Sequence, residues 1–239
     1  HARHPALRDR WEALRASLPR EVSVPHPVTG VTETLTVTPE MLATMVRAPL
    51  YVPRLASVLP EAIERAARGD FAPLFGLVSA MSGPRSAMDV AAGMHFSVVC
   101  AEDVPRLPQA ADKPGRDFGE AFADLYRRTC ERWPRGEVPA GFYTMPTSSA
   151  PVLVLSGGLD PVTPPRHGER AAQALGPMAR HVVVDNAGHG VMGIGCMRDV
   201  LFRFIDLADP AEALKVDTRC VEGIPRPLAF TPVQAEGAR

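Results

Sequence analysis

At Pro151 the texture of the chain changes, and that change restricts the fold more than any other feature. Pro151-Val152-Leu153-Val154-Leu155-Ser156-Gly157-Gly158 is a short apolar run closed by glycines, the pattern of a strand covered on both faces in a parallel sheet. Thr163-Pro164-Pro165 then opens a helix carrying Ala171, Ala172, Ala174 and Leu175, which stops at Gly176. His181-Val182-Val183-Val184-Asp185 reads as a second strand, and an amphipathic helix over 196–207 presents Val200, Leu201, Phe204 and Ile205. Strand, helix, strand, helix with short connections predicts a right-handed α/β unit.

Upstream, residues 40–135 are nearly all helical in pattern. Thr38-Pro39-Glu40 supplies an N-cap, a proline at the first helical position and an acid in the first turn. Pro60 and Glu61 start a helix that Gly69 ends, and further helices are expected over 71–82, 86–99 and 117–133. The last of these carries Phe118, Ala121, Phe122, Leu125 and Tyr126 on one face. Ahead of them, Ala2 to Leu18 reads as an amphipathic helix through Leu7, Trp11, Leu14 and Leu18 that stops at Pro19. Residues 20–37 suit a hairpin around a Pro27–Gly30 turn. Prolines number 25 in 239 residues, about twice the usual share, which fits many short elements rather than long coiled coils. From Pro225 onward the chain is expected as an extended surface strap or as disordered.

Lysine plus arginine is 26 and aspartate plus glutamate 27, so there is no basic excess of the kind a nucleic-acid partner requires. No apolar run approaches the ~18 residues of a membrane helix. No set of His, Asp or Glu has metal-ligand spacing along the sequence, and neither metal nor cofactor is expected. Cys100, Cys130, Cys196 and Cys220 form no CxxC pair and permit three pairings. Sequence order suggests Cys100–Cys130 and Cys196–Cys220, with four buried thiols the equal alternative. Bridges, if formed, imply an oxidising compartment.

Two polar residues fall just past the carboxyl ends of the expected strands, where such sheets place their sites. Asp160 follows the first in Gly158-Leu159-Asp160-Pro161, and His189 follows the second in Ala187-Gly188-His189-Gly190. A carboxylate that accepts from one imidazole nitrogen leaves the other to act as general base. The flanking glycines would let the backbone turn sharply at His189. Singly, Asp160-Pro161 is a turn former and His189 a loop histidine; on neighbouring parallel strands they become an acid–base pair. Asp185 is a rival acid four residues from His189. His1, His4, His26, His95, His167 and His181 show no partner pattern.

The stretch from Pro151 to Pro165, then Asn186-Ala187-Gly188-His189-Gly190, then Cys196 and Cys220 resembles the carboxy-terminal region of an α/β-hydrolase. More narrowly, it resembles the secreted tripeptidyl-aminopeptidase-like branch of the proline iminopeptidase group. His26-Pro27-Val28-Thr29-Gly30, Leu50-Tyr51-Val52-Pro53, Leu59-Pro60 with Gly69-Asp70, Val99-Cys100-Ala101-Glu102-Asp103 and Cys130-Glu131-Arg132-Trp133-Pro134 agree. The resemblance implies that Asp160 and His189 are acid and base of a Ser-Asp-His triad, and it favours both local disulfides. The Gly-x-Ser-x-Gly elbow of such enzymes is absent: Ser79 and Ser82 lack that spacing, Ser156 ends a strand, and there is no His-Gly-Gly oxyanion segment.

The expectation is therefore an α/β fold comprising the C-terminal portion of an α/β-hydrolase with a helical cap, the N-terminal core strands and the serine lying upstream of His1. Residues 1–37 would link core to cap, 38–145 form the cap, 146–222 the last α/β core unit and 223–239 a proline-rich tail. The implied activity is that of a secreted or periplasmic serine exopeptidase taking peptides with a free N-terminus, without cofactor or metal. The N-terminal segment carrying the nucleophile would be its partner. The resemblance implies that Glu102, with Asp103 as the neighbouring candidate, stands where this group's cap glutamates bind the α-ammonium. An esterase acting on small molecules and a non-catalytic binding scaffold are the alternatives.

Overall fold

The computed structural model of the chain describes residues 4–81, 91–109 and 120–232. Helix α1 (Leu7–Ala16) leads into strands β1 (Arg20–Pro25) and β2 (Thr32–Val37), an antiparallel hairpin in which Arg20 pairs with Val37 and Pro25 with Thr32. Helix α2 (Pro39–Arg47) starts where the Thr38 hydroxyl accepts the Met41 amide at 3.2 Å. After α3 (Pro53–Ala56) comes α4 (Leu59–Ala67), and Gly69, at φ 99°, turns the chain into α5 (Ala72–Met81). Leu14, Val22, Val37, Leu42, Ile63, Phe71 and Leu74 pack in one buried cluster, so the leading helix, the hairpin and α2–α5 share a core.

Helices α6 (Ala92–Glu102) and α7 (Ala121–Arg132) are tied by the Cys100–Cys130 disulfide, both cysteines buried. Trp133 donates its indole N–H to Ser97 Oγ at 3.1 Å, and the His95 ring meets the Tyr126 hydroxyl at 2.9 Å. The apolar face read into α7 is not sunk in a core: Phe122 and Leu125 are exposed, as are Met94 and Val98 of α6. The expected positions of His1, Ser82, Ser86–Val90, Asp117 and Phe118 lie outside the described residues.

Strands β3 (Val152–Gly157) and β4 (Ala179–Val184) are parallel, running from Val152 opposite Ala179 to Gly157 opposite Val184. Helix α8 (Pro165–Leu175) joins them and packs on both strands. Helix α9 (Met197–Asp206) contributes Met197 and Val200 to a second core, with Val184, Leu153 and Leu155. The sequence led us to expect β3 covered on both faces, but Val152 to Leu155 are only half-buried. The physical reason is that, among the described residues, β3 pairs with β4 alone and its other edge carries no strand.

A second disulfide, Cys196–Cys220, fastens the start of α9 to the turn at Arg219–Gly223, beyond α10 (Pro210–Ala213). Arg180 holds the segment between, donating to the carbonyls of Leu214 and Val216 at 2.9 and 2.6 Å and to Thr218 Oγ1 at 2.7 Å. The tail is extended through 232, and Phe230 donates its amide to the Ser57 carbonyl at 2.8 Å. No helix among the described residues is long and apolar enough to cross a membrane.

Candidate active site

Because β3 and β4 are parallel, the loops that follow them leave from the same edge of the sheet. They are laced together by Gly158 N–H to Val184 O and Leu159 N–H to Ala187 O, both 2.9 Å. This approach depends on missing side chains. A Cβ on Gly157 would sit 1.9 Å from the Gly188 oxygen, and one on Gly158 2.4 Å from the Asp185 oxygen. Of the glycines flanking His189, neither has a positive φ, so a sharp turn is not their purpose. A Cβ on Gly188 would lie 2.2 Å from the Tyr51 carbonyl oxygen, whereas Gly190 faces open space.

Asp160 Oδ2 lies 3.0 Å from His189 Nδ1. The carboxylate is 3% exposed and the imidazole 44%, so the acid is sealed in while the ring reaches solvent. Oδ1 accepts the amides of Val162 and Thr163 at 2.8 and 3.0 Å, and Oδ2 accepts the Thr163 hydroxyl at 2.7 Å. Burial alone would raise the Asp160 pKa, but the Thr163 and Val162 amides, the Thr163 hydroxyl and His189 together hold it below the usual carboxylate value. An ionised carboxylate only accepts, so Nδ1 carries the hydrogen and Nε2 is left with its lone pair. No described residue hydrogen-bonds Nε2. The ring also meets Tyr51 edge-on, centroids 5.2 Å apart at 71°, and its backbone amide donates to the Tyr51 carbonyl at 3.0 Å. The rival Asp185 is exposed at the end of β4.

Glu102 closes α6, half-buried, and its carbonyl accepts the Tyr143 hydroxyl at 2.7 Å; Asp103 is exposed at the helix end. No hydrogen bond or ion pair among the described residues joins either carboxylate to the Asp160–His189 pair. Ser79 lies half-buried on α5, and Ser82 is outside the described residues. Ser156 is buried near the end of β3, against α8. Its hydroxyl meets His181 Nε2 at 2.9 Å, and His181 Nδ1 lies 3.2 Å from Glu169. Gly168 of α8 covers both, since a Cβ there would be 2.5 Å from each. That series has the order of a triad, but its serine and imidazole are covered by α8, while Glu169 stands exposed on that helix.

The other described histidines also have partners that the sequence did not reveal. His26 Nδ1 accepts the amides of Val28 and Thr29, and His167 lies against Arg170. His4 Nδ1 is 2.9 Å from Glu64, and with Glu61 these residues place ligand atoms within 4.8 Å of one another, a grouping that linear spacing could not show. Arg68 and Arg10 already stand against the carboxylates at 3.8–4.0 Å, so the group is an ion-pair network between α1 and α4. Tyr51 and Thr163 are the contributors to the site that sequence reasoning missed; the Asp-Pro-x-Thr turn was the available signal for Thr163.

Residues 115–216 match the family model described as TAP-like protein, a stretch that spans α7, the β3–β4 unit and both Asp160 and His189. The resemblance to the α/β-hydrolases, in their tripeptidyl-aminopeptidase-like group, is thereby shown for that stretch. No curated protein and no solved structure matches the chain.

Proposed function

We propose that this tripeptidyl-aminopeptidase-like hydrolase is a serine exopeptidase in which His189 is the general base and Asp160 its orienting acid. The reading is carried by the 3.0 Å contact between a buried, hydrogen-bonded carboxylate and an exposed imidazole. A serine hydroxyl attacks the scissile carbonyl as Nε2 takes its proton. The imidazolium, stabilised by Asp160, then protonates the leaving amine, and water repeats the cycle on the acyl-enzyme. We infer that the serine comes from a segment outside these residues that adds strands to the free edge of β3, bringing its hydroxyl to Nε2. The half-buried apolar side chains of β3 support that docking. The two disulfides support a secreted or periplasmic location.

Glu102 and Asp103 are proposed to receive the α-ammonium of the peptide, which gives the exopeptidase its direction. In the intact enzyme, His189→Ala should abolish turnover and Asp160→Asn should lower it by about 10⁴-fold. Near-full activity of Asp160→Asn would assign the histidine to another acid. Glu102→Gln should cost about tenfold to a hundredfold in kcat/KM on free-amine peptides and spare N-blocked ones. Equal losses on both would shift the reading to an esterase.

A further inference from the structure

Arg47, like Arg20 over Phe71 and Arg106 over Tyr143, faces rings rather than a carboxylate, and one of its rings is the Tyr51 that touches His189. Arg10, Arg15, Arg65, Arg68, Arg127 and Arg219 each face a carboxylate, whereas Arg47, half-buried at the end of α2, has no acidic partner among the described residues. Its guanidinium instead lies near two rings, 5.2 Å from the centroid of Phe122 on α7 and 6.0 Å from that of Tyr51. A single long hydrogen bond, 3.5 Å, runs from Nη2 to the Tyr51 hydroxyl. Tyr51 is also the ring that meets His189, at 5.2 Å. A guanidinium has five donors in a planar fork that matches a carboxylate, and here nearly all of that capacity is unspent.

We propose that Arg47 binds a carboxylate of the substrate on the leaving-group side of His189, so that the preferred substrates are short peptides with a free C-terminus. The inference rests on His189 being the reacting base. The two centroid steps through Tyr51, 6.0 and 5.2 Å, bound the separation of guanidinium and imidazole. An extended chain advances roughly 3.3–3.6 Å per residue, so the carboxylate belongs no more than about three residues beyond the scissile bond. A half-buried guanidinium beside two rings is partly shielded from solvent, which favours a charge-assisted bond to an anion without reading the peptide sequence.

The test uses the intact enzyme and matched short peptides that end in a free carboxylate or in an amide. The unmodified enzyme should favour the carboxylate by about tenfold to a hundredfold in kcat/KM, mostly through KM. Arg47→Gln should bring the ratio of the two substrates towards one, and Arg47→Lys should restore part of it. No preference in the unmodified enzyme, a measurement that needs no variant, would overturn the proposal. So would an equal loss on both peptides in Arg47→Gln, which would make Arg47 a staple between α2 and α7. His189→Ala is run in parallel: turnover surviving there refutes the base assignment itself, while an inactive His189→Ala with an unchanged ratio in Arg47→Gln refutes only the carboxylate site.

Discussion

The amide of His189 donates to the carbonyl of Tyr51 at 3.0 Å, across a gap in sequence that spans most of the chain. The histidine loop is thus gripped from two sides. Its ring answers to Asp160 in the α/β unit, and its backbone answers to the turn between α2 and α3. Neither hold alone would fix where Nε2 points.

The glycines around His189 should separate cleanly under mutation. Gly188→Ala forces a Cβ to within 2.2 Å of the Tyr51 oxygen and 2.9 Å of Pro53 Cδ, and overpacking against backbone should cost about 1–3 kcal/mol. Gly190→Ala meets nothing within 4 Å and should change stability by about 0.5 kcal/mol or less. Denaturant titration of both variants checks the contrast, and equal effects would mean that the Tyr51 contact is not tight.

Acid should expose the contribution of Asp160. Its folded pKa lies below the unfolded value, because its hydrogen bonds outweigh burial. Its stabilisation is therefore complete above the ordinary carboxylate pKa and is lost as pH falls through the lowered folded value. The gap in Tm between the parent and Asp160→Asn should be widest near neutrality and close in acid, below the reference value of 3.8. Thermal melts across that range measure it; a gap independent of pH would show that packing alone sets the difference.

Ser156 and His181 imitate a nucleophile and base, and the two roles can be told apart from structure. Ser156→Ala leaves the His181 ring without a hydroxyl partner in a covered position, a loss of about 1–3 kcal/mol, yet turnover by the folded enzyme should persist. Loss of activity without loss of folding would reverse the assignment of the two serine–histidine relationships.

The Cys100–Cys130 bridge closes a separation of 30 residues, worth about 3–4 kcal/mol in the chain-entropy model. Replacing both cysteines with alanine should raise amide exchange in α6 and α7 and leave β3 and β4 protected. Uniform deprotection would mean that the helical pair and the sheet unfold as one unit.

The α/β unit was legible because its signals are local: a glycine-closed apolar run, a proline-started helix, a second apolar run. Asp160 and His189 were legible for the same reason, since parallel strands deliver their following loops to one edge. The hairpin at 20–37 and the helix capped by Thr38 were likewise written in adjacent residues. Tyr51 was not legible, because its role is played by a backbone carbonyl, which no residue type announces. The requirement for glycine at 157, 158 and 188 comes from backbones in contact across the sheet, a property of the pair of loops and not of either alone. The open edge of β3, by contrast, was legible, because only two apolar runs of parallel-strand type are present and so small a sheet leaves an edge unpaired.

Asp160 draws its two amides and its hydroxyl from Val162 and Thr163, within its own turn. The acid is therefore self-contained: a graft of residues 157–163 onto another parallel sheet would carry its wiring along. The histidine is not portable in this way, since a transplanted Ala187–Gly190 would arrive without the Tyr51 carbonyl that sets its course. In a lineage exchanging pieces between proteins, the acid could travel as a cassette, while the base would have to be refitted in each new host.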